Sequence, residues 1–246
     1  VKYHVVPGVN SRQLPLDLDI EVKFAMKALN KELTNTLSKL VKREPGAHDF
    51  RIFHLHDSNS MSILRENLAN HDEIIIHAEG YPFLIGPTES GPYTLTPLDL
   101  ARLLHREKLP DVHVTINLLS CNSATEYQGS NFAKDLSRFL HVYFQYNELI
   151  ISGYTGFIEV KSNAKYAVSS VLGKSTKGTH ASVDDAVMQY RNGEDVVSNA
   201  GRTVLIHSLS SIGDSWAGFY ARKTLDDRQF VDRLEQQKGP VSSNPS

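Results

Sequence analysis

A single cysteine, Cys121, stands in 246 residues, so no disulfide can form within the chain and the fold must hold without that staple. Such a count suits a reducing compartment, and a cysteine-poor secreted bacterial protein would look the same. No apolar run approaches the roughly 20 residues that a membrane-spanning helix needs. A net charge of −2 offers no overall electrostatic attraction for nucleic acid or for a membrane surface. The chain opens on Val1 with neither an initiator methionine nor a signal-peptide pattern; the missing methionine suggests an excised fragment, so export signals could lie outside this sequence. There is no internal repeat, and low complexity is confined to the Pro-, Ser- and Asn-rich tail Gly239–Ser246. What remains is ordinary globular composition, 40% hydrophobic and 22% charged. It is enough for one large domain over residues 1–238, with 239–246 as a disordered tail.

Two stretches share one design. Asp111–Ser123 reads DVHVTINLLSCNS: Val112, Val114, Ile116, Leu118 and Leu119 form an apolar run suited to a strand covered on both faces, and it leads into Cys121. Asp72–Gly80 reads DEIIIHAEG: Ile74, Ile75 and Ile76 lead into His77, with Gly80 close behind. If the two strands are parallel neighbours, a thiol and an imidazole emerge at the same sheet edge, where open α/β sheets place their ligand crevices.

The rest of the chain alternates. Strands are expected at Lys2–Val6, Phe50–Leu55, Glu148–Ser152 and Arg202–His207. Helices are expected at Asp17–Lys42, Ser60–Leu68, Asn131–Tyr143, Ser182–Tyr190 and Ser215–Gln237. Thr96, Pro97 and Asp99 spell a capped helix start, followed by the apolar face Leu98, Leu100, Ala101, Leu103 and Leu104. Hairpins are expected over Phe83–Leu95 and over Phe157–Val171. Alternation of this kind predicts an α/β fold: a mostly parallel, six-stranded sheet with helices on both faces and a hairpin flap.

A thiol of ordinary pKa is mostly protonated at neutral pH. An imidazole beside it can take its proton during attack, or hold it as an ion pair, and either route gives covalent acyl transfer. The oxyanion of such a reaction needs backbone N–H donors; Cys121 itself and Ala78 or Glu79 are the candidates, and Gly80 would let a substrate backbone come close. The bland alternatives are a cysteine that merely fills core and a structural histidine. The polar flank Ser120, Asn122 and Ser123, and the matching of two strand ends, count against them. His54-Leu55-His56 puts two imidazoles on one side of a strand, but no third zinc ligand follows at a suitable spacing; His207 ends the last strand.

A hydrophobic strand ending in His with a glycine nearby, followed by a hydrophobic strand ending in Cys, resembles the caspase-like (clan CD) cysteine peptidases. Ile116–Ser123 (INLLSCNS) is most similar to the autoprocessing cysteine protease domain of large bacterial toxins, the clostridial glucosylating and multifunctional RTX toxins. The similarity covers roughly Asp72–Lys174. It implies a caspase-like three-layer sandwich and a cysteine endopeptidase with Cys121 as nucleophile and His77 as base. It implies autocatalytic cleavage of a secreted virulence factor in a host cytosol, with a protein or peptide substrate that includes its own polypeptide. It further implies inositol hexakisphosphate as an allosteric activator on a basic face, for which Lys161, Lys165, Lys174, Lys177 and Arg202 are the available cations. The family has glycine on both sides of its histidine, where this chain has Ile76 and Ala78. Some members orient the histidine with an acidic residue near the end of the first strand. Here Pro7 and Gly8 occupy that place, leaving Asp17, Asp19, Asp57 or Glu79 as stand-ins. No resident metal is implied. The alternatives are a caspase-like module that has lost catalysis and only binds, or an inositol-phosphate-regulated domain without chemistry of its own.

Overall fold

The computed structural model describes residues 1–160, 166–169, 180–182, 186–196 and 216–238. The expected strand Arg202–His207, the expected tail and the five candidate phosphate-binding cations lie outside these described residues. Among the described residues a seven-stranded sheet forms the centre, one strand more than the six expected, because Val187–Arg191 and Glu194–Asp195 add to the open edge of Ile150–Tyr154. Its parallel part is β1 (Lys2–Val6), β2 (His48–His54), β3 (Glu73–His77), β6 (Thr115–Leu119) and β7 (Ile150–Tyr154). β11 (Val187–Arg191) runs antiparallel to β7, and β12 (Glu194–Asp195) antiparallel to β11. The lateral order is β12-β11-β7-β6-β3-β1-β2. Among the described residues two small antiparallel sheets lie outside it. One pairs β4 (Glu79–Tyr81) with β5 (Leu84–Gly86); the other joins β8 (Phe157–Val160), β9 (Tyr166–Ser169) and β10 (His180–Ser182).

Strand parity separates the two faces of the sheet. Tyr3, Val5, Ile74, Ile76, Ile116, Leu118 and Ile151 point into the main core against α2 (Ser58–Asn67), α3 (Pro97–Arg106), α4 (Phe132–Phe144) and α5 (Trp216–Lys238). The opposite face carries Val6, covered by Leu33, Leu37 and Leu40 of α1 (Ile20–Arg43), together with Ile75 and Leu119. Helices thus flank both faces, in an α/β arrangement compatible with a three-layer sandwich. Among the described residues no helix is long and apolar enough to cross a membrane.

Local chemistry sets several boundaries. Thr96 Oγ1 accepts the Asp99 N–H at 3.2 Å and Asp99 Oδ2 accepts the Thr96 N–H at 3.1 Å, the reciprocal cap that starts α3. Asn131 caps α4 by accepting the Lys134 N–H at 2.9 Å, and its amide donates to the Tyr190 hydroxyl at 2.9 Å. That second bond helps tie β11 to the body of the domain. Val187–Arg191 falls in a stretch whose spacing suggests a helix, but it is a strand. The apolar run is too short for periodicity to decide, and the open edge of β7 supplies the hydrogen bonds that fix it. In the 83–95 region β5 pairs chiefly with β4, and only Ile85 bridges to Leu95.

The connection order fixes where a crevice can form. From β1 the chain goes to one side for β2 and to the other for β3. That reversal makes the β1/β3 boundary a topological switch point, and a crevice opens beyond the carboxyl ends of strands at such a point.

Candidate active site

His77 is the last residue of β3, registered against Leu119 of β6. Cys121 follows two residues later, in the turn just beyond the end of β6. Both line a cleft of about 80 Å³. Leu29, Leu33 and Thr36 of α1 form one wall, Ile158 of β8 another, and Glu32 and Glu79 bring carboxylates to the rim. His77 is buried and Cys121 half-buried.

The turn that presents Cys121 is knitted into the fold. Asn122 adopts a left-handed conformation (φ 59°), which asparagine tolerates better than most residues, and its N–H donates to the Gly156 carbonyl at 2.7 Å. The fully buried Ser123 hydroxyl reaches the carbonyls of Leu118 (3.0 Å) and Ser120 (2.9 Å) while accepting the Tyr154 N–H at 3.0 Å. Thr125 Oγ1 lies 3.1 Å from Asn122 Oδ1 and accepts the Gly156 N–H at 3.1 Å. Gly153 lets β7 approach this turn: a Cβ there would stand 3.0 Å from the Ser123 carbonyl and 2.9 Å from the Ala133 side chain.

Gly80 has a role other than the expected one. A Cβ at this position would lie 1.9 Å from Ser120 Oγ and 2.7 Å from the Cys121 carbonyl oxygen. The space that glycine frees is therefore taken by the cysteine turn, not left open for a substrate backbone.

The Cys121 sulfur accepts the Ile158 N–H at 3.4 Å. Burial pushes the thiol above its ordinary range; the Ile158 N–H opposes this, and the Glu79 carboxylate adds to it. His77 is pushed down to about 3, by burial first and then by His4. The resting pair is a neutral thiol and a neutral imidazole, with no hydrogen bond between them. Of the two routes, this favours proton transfer during attack over a preformed ion pair.

What holds His77 is not one of the four expected carboxylates. Its Nε2 lies 2.9 Å from Nδ1 of His4 on β1. His4 Nε2 lies 2.9 Å from Nδ1 of His48 on β2, and His48 Nε2 lies 3.2 Å from Oε2 of Glu44, the residue that ends α1. Three neighbouring strands thus contribute one imidazole each, in an unbroken line under α1. His4 is pushed down to about 4, by burial and then by His48 and Lys2. Asp19 caps α1, accepting the Glu21 N–H at 2.7 Å, and Asp57 caps α2, accepting the Asn59 N–H at 3.0 Å. Asp17 is exposed ahead of α1. Glu79 faces the cleft, where burial and then Glu32 push its carboxyl up.

Of the oxyanion candidates, the Ala78 N–H is directed at the Leu119 carbonyl at a long 3.4 Å, and the Cys121 N–H bears on its own sulfur. His54 and His56 serve separate partners: His54 Nε2 lies 3.3 Å from Asn30 Oδ1, and His56 Nδ1 accepts the Gly8 N–H at 2.9 Å. Among the described residues no group of three or more His, Cys, Asp or Glu side chains is placed to hold a metal ion.

Sheet and site together define an α/β protein with a thiol and an imidazole at the carboxyl edge of parallel strands. No protein-family model matches the chain, and no curated protein matches it.

Proposed function

We propose that this chain is a cysteine endopeptidase of caspase-like fold. The observation that carries the reading is the meeting of His77 and Cys121 in one cleft at the ends of adjacent parallel strands. Cys121 Sγ attacks the scissile carbonyl carbon as His77 Nδ1 takes the thiol proton. The carbonyl oxygen becomes an oxyanion held by the Cys121 and Ala78 amides, for which Ala78 gives up its long bond to Leu119. His77 passes its proton to the leaving amine, the C–N bond breaks and a thioester remains. Water, deprotonated by His77, then hydrolyses the thioester and restores the thiol.

The INLLSCNS stretch and the β8–β9 hairpin support a module of a bacterial toxin or effector, secreted and acting in a host cytosol, with its own polypeptide among the substrates. The test is cleavage of a peptide library by the wild type beside Cys121→Ala and His77→Ala. Both variants are expected to be folded and inactive; normal cleavage by either refutes the assigned roles.

The raised thiol and its missing bond to His77 favour a second reading, a caspase-like module that binds without cleaving. A peptide electrophile separates the two: labelling of Cys121 no faster than that of free cysteine supports the binding module.

A further inference from the structure

We infer that Glu44, His48 and His4 form a positioning line that fixes the tautomer of His77, so that His77 presents a bare Nδ1 to the Cys121 cleft. The inference rests on the endopeptidase reading for its purpose, but not for its geometry.

The direction of the line follows from what each atom can do. An ionised carboxylate only accepts hydrogen bonds. The His48 hydrogen bond holds the Glu44 carboxyl below its usual range, so the ionised form is the one present near neutrality. His48 must therefore carry its proton on Nε2, 3.2 Å from Glu44 Oε2. With one proton on each ring, that placement leaves His48 Nδ1 bare and has His4 donate from Nε2 across 2.9 Å. His4 Nδ1 is then bare in turn, and His77 must donate to it from Nε2, again across 2.9 Å. The one remaining ring nitrogen, His77 Nδ1, is left as an acceptor. A general base needs that lone pair; with its proton on Nδ1 and Nε2 engaged by His4, His77 would have no free lone pair to take a proton from the thiol.

Burial keeps the line in order. His4, His48 and His77 are 2%, 8% and 7% exposed, so water has little chance to replace a partner. Only Glu44 reaches the surface, its side chain 42% exposed. A carboxylate on the protein exterior thereby sets the proton position on a buried base three hydrogen bonds away.

The exposed end allows a test that leaves the core intact. Glu44→Lys places a donor where the acceptor stood, and a cation at a helix C-terminus is well tolerated. The ammonium donates to His48 Nε2, and each ring must then reverse, which moves the His77 proton to Nδ1. Histidine-labelled protein is examined by 15N NMR, with the His77 signals assigned from their loss in His77→Ala. Cys121 alkylation by iodoacetamide is timed in parallel. The wild type should show His77 protonated on Nε2. Glu44→Lys should shift it toward Nδ1 and slow alkylation about a hundredfold or more, the scale of a lost general base. Glu44→Gln, whose amide oxygen still accepts from His48, should keep the wild-type tautomer and the wild-type alkylation rate. An unchanged tautomer in Glu44→Lys, or Nδ1 protonation already in the wild type, overturns the inference. If the tautomer reverses while His77→Ala alkylates at the wild-type rate, the positioning line stands and the endopeptidase reading falls.

Discussion

Replacing Gly80 with alanine should strain the cysteine turn directly. The added methyl would meet Ser120 Oγ at 1.9 Å, Ser120 Cβ at 3.2 Å and the Cys121 carbonyl oxygen at 2.7 Å. Cβ contacts under 3.0 Å are essentially never found, so the carbonyl must retreat by at least about 0.3 Å even after the serine turns away. Ser120 has little room to turn: it is 1% exposed, and its hydroxyl has no hydrogen-bond partner among the described residues. Overpacking of this kind costs about 1–3 kcal/mol. Gly80 does not occupy a left-handed conformation, so the cost is steric and not a backbone penalty. Ser120→Ala removes the worst contact and an unpaired buried hydroxyl, so alone it should be near neutral. Combined with Gly80→Ala it should restore part of the loss, a coupling of about 0.5–2 kcal/mol. Urea denaturation of the four proteins measures the stability cycle, and alkylation of Cys121 reports whether the turn has moved. Gly80→Ala within about 0.5 kcal/mol of wild type, with unchanged alkylation, would refute the packing argument.

Two further outcomes follow from buried groups. His77 and His4 are depressed to about 3 and about 4, below an unfolded value of 6.5, so the unfolded chain binds more protons as pH falls below 6.5 and stability drops with it. Each ring contributes up to about 2 kcal/mol of loss between pH 6.5 and pH 5, which urea midpoints at pH 7 and pH 5 would detect; His4→Phe should flatten the dependence, and an equal slope in both proteins would contradict it. Arg228 donates from Nε to Asp135 Oδ2 at 2.6 Å, with the two side chains 8% and 1% exposed, so Arg228→Ala should cost about 3–5 kcal/mol in the same assay by stranding the carboxylate; a loss under about 1 kcal/mol would show that Asp135 takes up a proton or water at little cost.

Much of the fold was written in local signals. The Ile74–Ile76 run, the Val114–Leu119 run and the capped start at Thr96 each specify their element from a few adjacent residues, and the alternation of elements specifies a mainly parallel sheet. Val187–Arg191 was not legible because its strand state comes from the edge of β7, a partner far away in sequence. The line from His77 to Glu44 was hidden for a related reason. His4 alternates with Tyr3 and Val5 in a strand, and that parity alone puts it on the face away from the main core. That β1 lies between β2 and β3 is a matter of topology, and no residue pattern announces it. His48 was further obscured because the apolar pattern places the start of β2 at Phe50, two residues late. Gly80 was recognisable as a close-approach residue, but only the packed turn shows that Ser120 and Cys121 are what approach it.

The most direct trial of a thiol–imidazole peptidase is mass-spectrometric mapping of the adduct formed by a library of peptidyl acyloxymethyl ketones. One equivalent of inhibitor is expected on Cys121 in the wild type, formed far faster than on free cysteine and lost in His77→Ala. Equal labelling of Cys121 in wild type and His77→Ala would contradict it.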